Sequence, residues 1–187
     1  MEFLFASPLI LGGILIVLAF VVIGTYNSLI TKRNRVKEAY SQIDVQLKRR
    51  SSLIPNLIET VKGYVKHEKD VLTEVTKART ELMHAKSPHA QAEANDMLSG
   101  ALKSLFAVSE SYPDLKASEN FKELQSELSD TETKVAAARQ FYNTNVLDYN
   151  TSLQTFPTSI FANIFNFREE DFFKATEEEK KDVSVKF

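Results

Sequence analysis

IDVQLKRRSSLIPNLIETVKGY, residues 43–64, keeps apolar side chains at a steady helical spacing around a proline, Pro55, and three consecutive basic residues, Lys48, Arg49 and Arg50. Alternating steps of four and three residues, begun at Val36, meet Tyr40, Ile43, Leu47, Arg50, Ile54, Leu57, Val61, Tyr64, Glu68, Val71, Val75, Ala78 and Leu82. Only Arg50 and Glu68 interrupt this apolar seam, so the spacing predicts one long helix packed in coiled-coil fashion from Lys32 to about Lys86. At 1.5 Å per residue it would be roughly 80 Å long. Leu53, Ile58, Val65 and Leu72 flank the stripe and widen it, as a helix facing two neighbours requires.

Pro55 removes a backbone donor and frees the carbonyl of Ser51. A new helix capped by Ser52 would make the proline harmless in its first turn. A continuous helix would need a kink at Pro55, with a Ser51 or Ser52 hydroxyl or a water on the freed carbonyl. Leu47 and Ile54 are seven residues apart and keep phase across the proline, which favours the continuous, kinked helix.

On the amino side lies FLFASPLILGGILIVLAFVVIGTYNSLI, residues 3–30, with no charge between Glu2 and Lys32. Roughly 20 apolar residues span a bilayer, so residues 1–31 are expected to be a retained transmembrane anchor. A cleaved signal peptide would need a basic start, a shorter run and a small-residue cleavage site, none of which is present. Lys32, Arg33, Arg35 and Lys37 follow the run, which predicts a short N-terminus outside and a cytoplasmic remainder beneath the cytoplasmic membrane. Gly24-x-x-x-Ser28 is a small-residue pattern through which two such helices could approach.

Ser87-Pro88 is an N-cap followed by proline at the first helical position, and opens a second helix to about Tyr112, where Pro113 stops it. The loop PDLKA, residues 113–117, leads to a third helix over 118–156 whose steps include Phe121, Leu128, Val135, Tyr142 and Tyr149. Pro157 redirects the chain, and Ile160 to Phe167 forms a short amphipathic helix. The expected class is therefore all-α: an anchor, a long-helix antiparallel bundle over 32–157, and a short helix with an acidic tail over 158–187. Phe172, Phe173, Val183, Val185 and Phe187 are expected to dock on the bundle, the alternative being capture of the tail by a partner through strand addition. A second helix of roughly 36 Å cannot cover a first of roughly 80 Å. The uncovered seam around Leu47 and Ile54, beside Arg50, then calls for a second copy of the chain.

Beyond the anchor, 23 basic and 24 acidic residues leave no basic face of the kind nucleic acid requires. Charge is uneven, ten basic to four acidic over residues 32–69 and three to seven over 169–182, which suits solubility first and attraction to anionic lipid second. The chain has no cysteine and, outside the anchor, only Gly63 and Gly100, so a cysteine nucleophile is excluded and phosphate-cradling loops nearly so. His67-Glu68 lacks the second histidine of a zinc-protease helix, since position 71 is Val71, and Glu81-x-x-His84 lacks the second pair of a di-iron bundle. No enzyme, metal or cofactor is implied. What remains is polarity in the seams: Arg50 and Glu68 on the first helix, Thr131 and Asn145 on the third, with Glu132 and Arg139 seven apart as partners. Such residues usually set register; the alternative is a ligand cleft near Glu132, Arg139 or Asn143.

YNSLITKRNRVKEA (26–39), the stretch from Ile43 to Glu68, VTKAR (75–79), YPDLKA (112–117), AAARQFYN (136–143), VLDYN (146–150), Phe156-Pro157 and the paired phenylalanines together resemble the LemA family of bacterial membrane proteins. The resemblance implies a single-pass anchor followed by an antiparallel helical bundle, and names no catalytic residue. It departs at Asn166-Phe167, where family members commonly carry a glycine before the aromatic, and in lacking prolines near the terminus. The function expected is a self-associating membrane scaffold or adaptor with a protein partner in the membrane or cytoplasm; the alternative is a sensory or small-ligand-binding module.

Overall fold

The computed structural model describes residues 2–65 and 68–173. Among them the chain is all-helical, without a strand: α1 (Glu2–Lys62), α2 (Lys69–His84), α3 (Pro88–Ser109), α4 (Pro113–Ala117), α5 (Glu119–Gln154) and α6 (Thr158–Ile164). His67, Val183, Val185 and Phe187 lie outside the described residues. Two compact units form, one from Met1–Glu38 with Thr144–Glu170, the other from Ala39–Asn143 with Asp171–Phe187.

The helix expected over 32–86 is divided. α1 runs unbroken through Pro55 but ends at Lys62, and α2 begins only at Lys69. The seam steps Tyr64 and Glu68 therefore fall in the connection between two helices, and Tyr64 is exposed. The heptad phase survives the interruption because the residues on either side happen to resume in step. Val75, Ala78 and Leu82 are buried on α2 as their spacing requires.

This division removes the mismatch of lengths. Ile43 and Ile54 are fully buried within the single chain, Leu47 nearly so, and Ala39, Leu57 and Val61 complete the covered stripe. The bare seam that called for a second copy at Leu47 and Ile54 does not exist. α2 and α3, joined by residues 85–87, pack against each other. Ser87 caps α3 as its sequence predicts, its hydroxyl accepting from the Ala90 N–H at 3.2 Å. PDLKA is a short helix rather than a loop, with Leu115 fully buried.

Pro55 is accommodated by a residue that local sequence does not reveal. The Ser51 carbonyl accepts a hydrogen bond from Arg79 Nε of α2 at 3.0 Å. Neither serine hydroxyl fills this role: Ser52 Oγ donates to the Arg49 carbonyl at 2.7 Å, and Ser51 Oγ is buried without a hydrogen-bond partner among the described residues.

In the other unit Leu29, Val36, Val146, Tyr149 and Ala162 are buried together with Leu153. The Tyr26 ring meets Phe165 and Phe167 edge-on, with centroids 5.0 and 5.7 Å away, contacts worth about 0.5–1.5 kcal/mol each beyond the area they bury. Lys32 pairs with Asp148 at 2.6 Å. Toward the amino end the side chains from Ile10 to Ile23 stay largely exposed, and by length and composition α1 can cross a membrane, with none of its most apolar 18 residues buried inside the chain. α6 ends in a left-handed residue, Asn166 at φ 55°, while the Phe167 N–H bonds the Ala162 carbonyl at 2.9 Å and the Asn166 N–H that of Asn163 at 3.2 Å. This is the Schellman ending, which favours glycine and tolerates asparagine. The departure at Asn166 thus preserves the backbone that a glycine would adopt.

Candidate functional site: a cleft lined by a buried arginine

Three faces of the Ala39–Asn143 unit converge on an open cleft of about 950 Å³. Arg50 comes from α1, while Asn95, Ser99, Lys103 and Phe106 follow one another at helical spacing on α3. Leu128, Glu132, Val135 and Arg139 do the same on α5. The periodicity that builds the core also sets these polar side chains along its edge.

Arg50 decides the character of the cleft. Its side chain is only 1% exposed, on a seam between the buried Leu47 and Ile54. Nη1 donates to Asn95 Oδ1 at 2.6 Å, Nη2 stands 3.6 Å from Glu132 Oε1, and Nε is buried with no hydrogen-bond partner among the described residues. Burial pushes the guanidinium below its ordinary pKa, against the charges of Glu132 and Asp96, which favour the cation. Ser99 Oγ donates to Glu132 Oε1 at 3.2 Å and steadies that carboxylate, which is itself more than half exposed.

The residues singled out by sequence do not all come together. Arg50, Glu132 and Arg139 line the one cleft. Glu68 lies apart, ahead of α2, where its carboxylate accepts from the Tyr112 hydroxyl at 3.3 Å. Asn143 holds the chain after α6: its Nδ2 donates to the Phe173 carbonyl and its Oδ1 accepts from the Phe173 N–H, both at 2.9 Å. Thr131 is buried with its hydroxyl turned back to the Leu128 carbonyl at 2.9 Å.

The Asn143 clamp recurs in the other unit, where Asn150 makes the same pair of bonds with Glu170 at 2.9 and 3.0 Å. Each amide presents a donor and an acceptor to the N–H and carbonyl of a single residue. Tyr142 adds a bond from its hydroxyl to the Asp171 carbonyl at 2.8 Å. Phe173 is fully buried and Phe172 exposed, so one of the paired phenylalanines docks as expected and the other does not. The guanidinium of Arg139 lies 5.0 Å from the centroid of the Phe173 ring, which ties the docked residue to the wall of the cleft.

Periodicity missed the clamps and half of the cleft. Tyr-Asn occurs at 142–143 and again at 149–150, seven residues apart on α5, a repeat that points to one helix face with a polar task. Asn95 and Ser99 carried no such signal, and Gly100 only that of a glycine inside a helix.

The chain matches the model of the LemA family over residues 39–187. It is 30% identical over 170 residues to Protein LemA of Metamycoplasma hominis, covering 89% of this chain and 76% of that protein. Magnetosome protein MamQ 2 of Paramagnetospirillum magneticum is 23% identical over 190 residues, 87% of this chain and 70% of that protein. Magnetosome protein MamQ of Magnetospirillum gryphiswaldense is 21% identical over 174 residues, 79% and 64% respectively.

Proposed function

This chain belongs to the LemA family, and from that premise we propose that it is a non-enzymatic, membrane-anchored scaffold or adaptor of the bacterial cytoplasmic membrane. The exposed apolar start of α1 carries the proposal: large side chains from Ile10 to Ile23 face outward along a helix that continues to Lys62. In water such a surface is unfavourable at about 25 cal/mol per Å², whereas a bilayer covers it. The basic residues after it orient the N-terminus outward and the helical bundle inward. The relatives named as magnetosome proteins fit a role at a membrane. Copies associate through the anchor, where a Cβ added at Gly24 would meet nothing within 4 Å and Ser28 is exposed, rather than through Leu47 or Ile54, whose side chains are already covered.

The test is the mass of the full chain extracted in mild detergent, beside Gly24→Leu. The scaffold predicts an oligomer resistant to alkaline carbonate before extraction and a smaller species for Gly24→Leu. A wild-type monomer released by carbonate would overturn it. A compartment-sensitive reporter fused to the C-terminus should be active on the cytoplasmic side.

A second reading, a sensory or small-ligand-binding module, is favoured by the cleft at Arg50: a buried, incompletely bonded cation beside open space is a costly arrangement for scaffolding alone.

A further inference from the structure

We propose that the cleft binds a small organic carboxylate with an apolar body, its carboxylate seated on the Nε–Nη2 edge of Arg50. The assignment rests on the second reading above and names its ligand class. A guanidinium offers its donors in a rigid planar fork, and the edge carrying Nε and Nη2 matches the two oxygens of a carboxylate. In Arg50 the remaining nitrogen, Nη1, is occupied by Asn95. Nε has no hydrogen-bond partner among the described residues, and the carboxylate nearest Nη2, that of Glu132, stands at 3.6 Å, beyond a hydrogen bond. The edge suited to a carboxylate thus holds only the long ion pair to Glu132 and a buried, unbonded Nε, on a side chain that lines the cleft, so an entering carboxylate takes the place of Glu132 there.

Gly100 is an independent observation in favour of a ligand. It lies inside α3 without a positive φ, and a Cβ added there would meet nothing within 4 Å. Glycine is among the least favourable residues in a helix interior, and neither a turn nor a close approach requires it here. Its effect is to leave one wall of the cleft uncovered. Leu102, Phe106 and Leu128 line the same cleft and supply an apolar surface for the body of the ligand. Arg50, Lys103 and Arg139 against Asp96 and Glu132 leave one net positive charge around the cleft, which suits a monoanion; the two carboxylates oppose a doubly charged phosphate. The volume, about 950 Å³, lies within the range of small-molecule sites.

The test uses the full-length chain in phosphatidylcholine nanodiscs, titrated calorimetrically with 3-phenylpropionate, octanoate, 3-phenylpropanamide and inorganic phosphate, with empty nanodiscs subtracted. At least one acid should bind, tenfold or more tightly than the amide and than phosphate. Arg50→Lys keeps the charge but loses the fork, and should weaken the acid tenfold or more. Gly100→Leu projects into the open space and should abolish binding without lowering Tm, which guards against a merely unfolded variant. Binding of neither acid, or acid binding unchanged in Arg50→Lys, overturns the assignment. Equal binding of acid and amide, both lost in Gly100→Leu, overturns the carboxylate while sparing the ligand-binding reading. Acid binding that persists unchanged in Gly100→Leu overturns both.

Discussion

Pro55 and the segment from Gly63 to Glu68 lie within fourteen residues of each other, and the chain treats them in opposite ways. At Pro55, where a donor is missing and the ring crowds the preceding turn, α1 continues. After Lys62, where nothing forbids a helix, it stops. The difference lies in what surrounds each point. At Pro55 the freed carbonyl of Ser51 finds Arg79 Nε, and Ile54 and Leu57 on either side are fully buried. Beyond Lys62, Tyr64 is exposed, and the contacts that exist favour a turn: the Tyr64 and Val65 N–H groups both bond the Val61 carbonyl, and Val65 folds back to become buried. A helix persists where the neighbouring chain satisfies its backbone and its apolar face, and local propensity is the weaker influence.

The comparison is broken most forcefully at Pro55 itself. Pro55→Ala restores the N–H for the Ser51 carbonyl at an exposed helix position and should raise stability by up to about 3 kcal/mol. Arg79→Met alone strips the donor from that carbonyl and should cost about 1–3 kcal/mol. In the Pro55→Ala background the same Arg79→Met should cost clearly less, because the carbonyl then has its helical partner. Urea denaturation of the full chain in mild detergent, followed by circular dichroism, gives all four corners of the cycle. Equal costs of Arg79→Met in both backgrounds would show that Arg79 does not stand in for the missing bond.

Much of this was legible in residue spacing, and the rest was hidden for identifiable reasons. The all-helical class, the start of α3 at Ser87-Pro88 and the extent of α5 follow from apolar periodicity and capping chemistry, which are local. The end of α1 was hidden because the seam resumes in phase at Val71 and Val75, so that a count by sevens passes over the break. Gly63 and the polar run after Val65 were its only marks. Of the cleft, Arg50, Glu132 and Arg139 stood out as charges on apolar faces. Asn95 and Ser99 did not, nor did Arg79 beside Pro55, because each sits where a polar residue is unremarkable and gains its role from a helix distant in sequence. Gly100 was invisible for another reason: periodicity registers side chains, and its contribution is space.

A second exit from a helix sharpens the contrast. α6 ends through the left-handed conformation of Asn166, a means used neither at Pro55 nor at Gly63. A β-carbon costs roughly 1–2 kcal/mol in that region, less for asparagine. Asn166→Ala should therefore lose about 1 kcal/mol, whereas Asn166→Gly should be neutral or slightly stabilising, since glycine adopts the same backbone freely. Thermal melts of the two variants compare them directly. A loss with glycine as large as with alanine would mean that the Asn166 side chain, and not its backbone, ends the helix.

The smallest effect is expected at Gly63, and it is the most direct test of what stops α1. If the glycine were the cause, Gly63→Ala would let α1 extend toward α2, and the helical signal in far-ultraviolet circular dichroism would rise. Gly63 has no positive φ, however, and an added Cβ would only touch the Thr60 carbonyl at 3.4 Å, an ordinary contact. Alanine can thus occupy the turn as it stands, and the turn is held by the burial of Val65 and by the Tyr112 hydroxyl on Glu68. Gly63→Ala should leave the helical signal unchanged and shift stability by less than about 1 kcal/mol. An increase in helix content would assign the break to the glycine, and with it return the seam from Val36 to Leu82 to a single helix held apart by one residue.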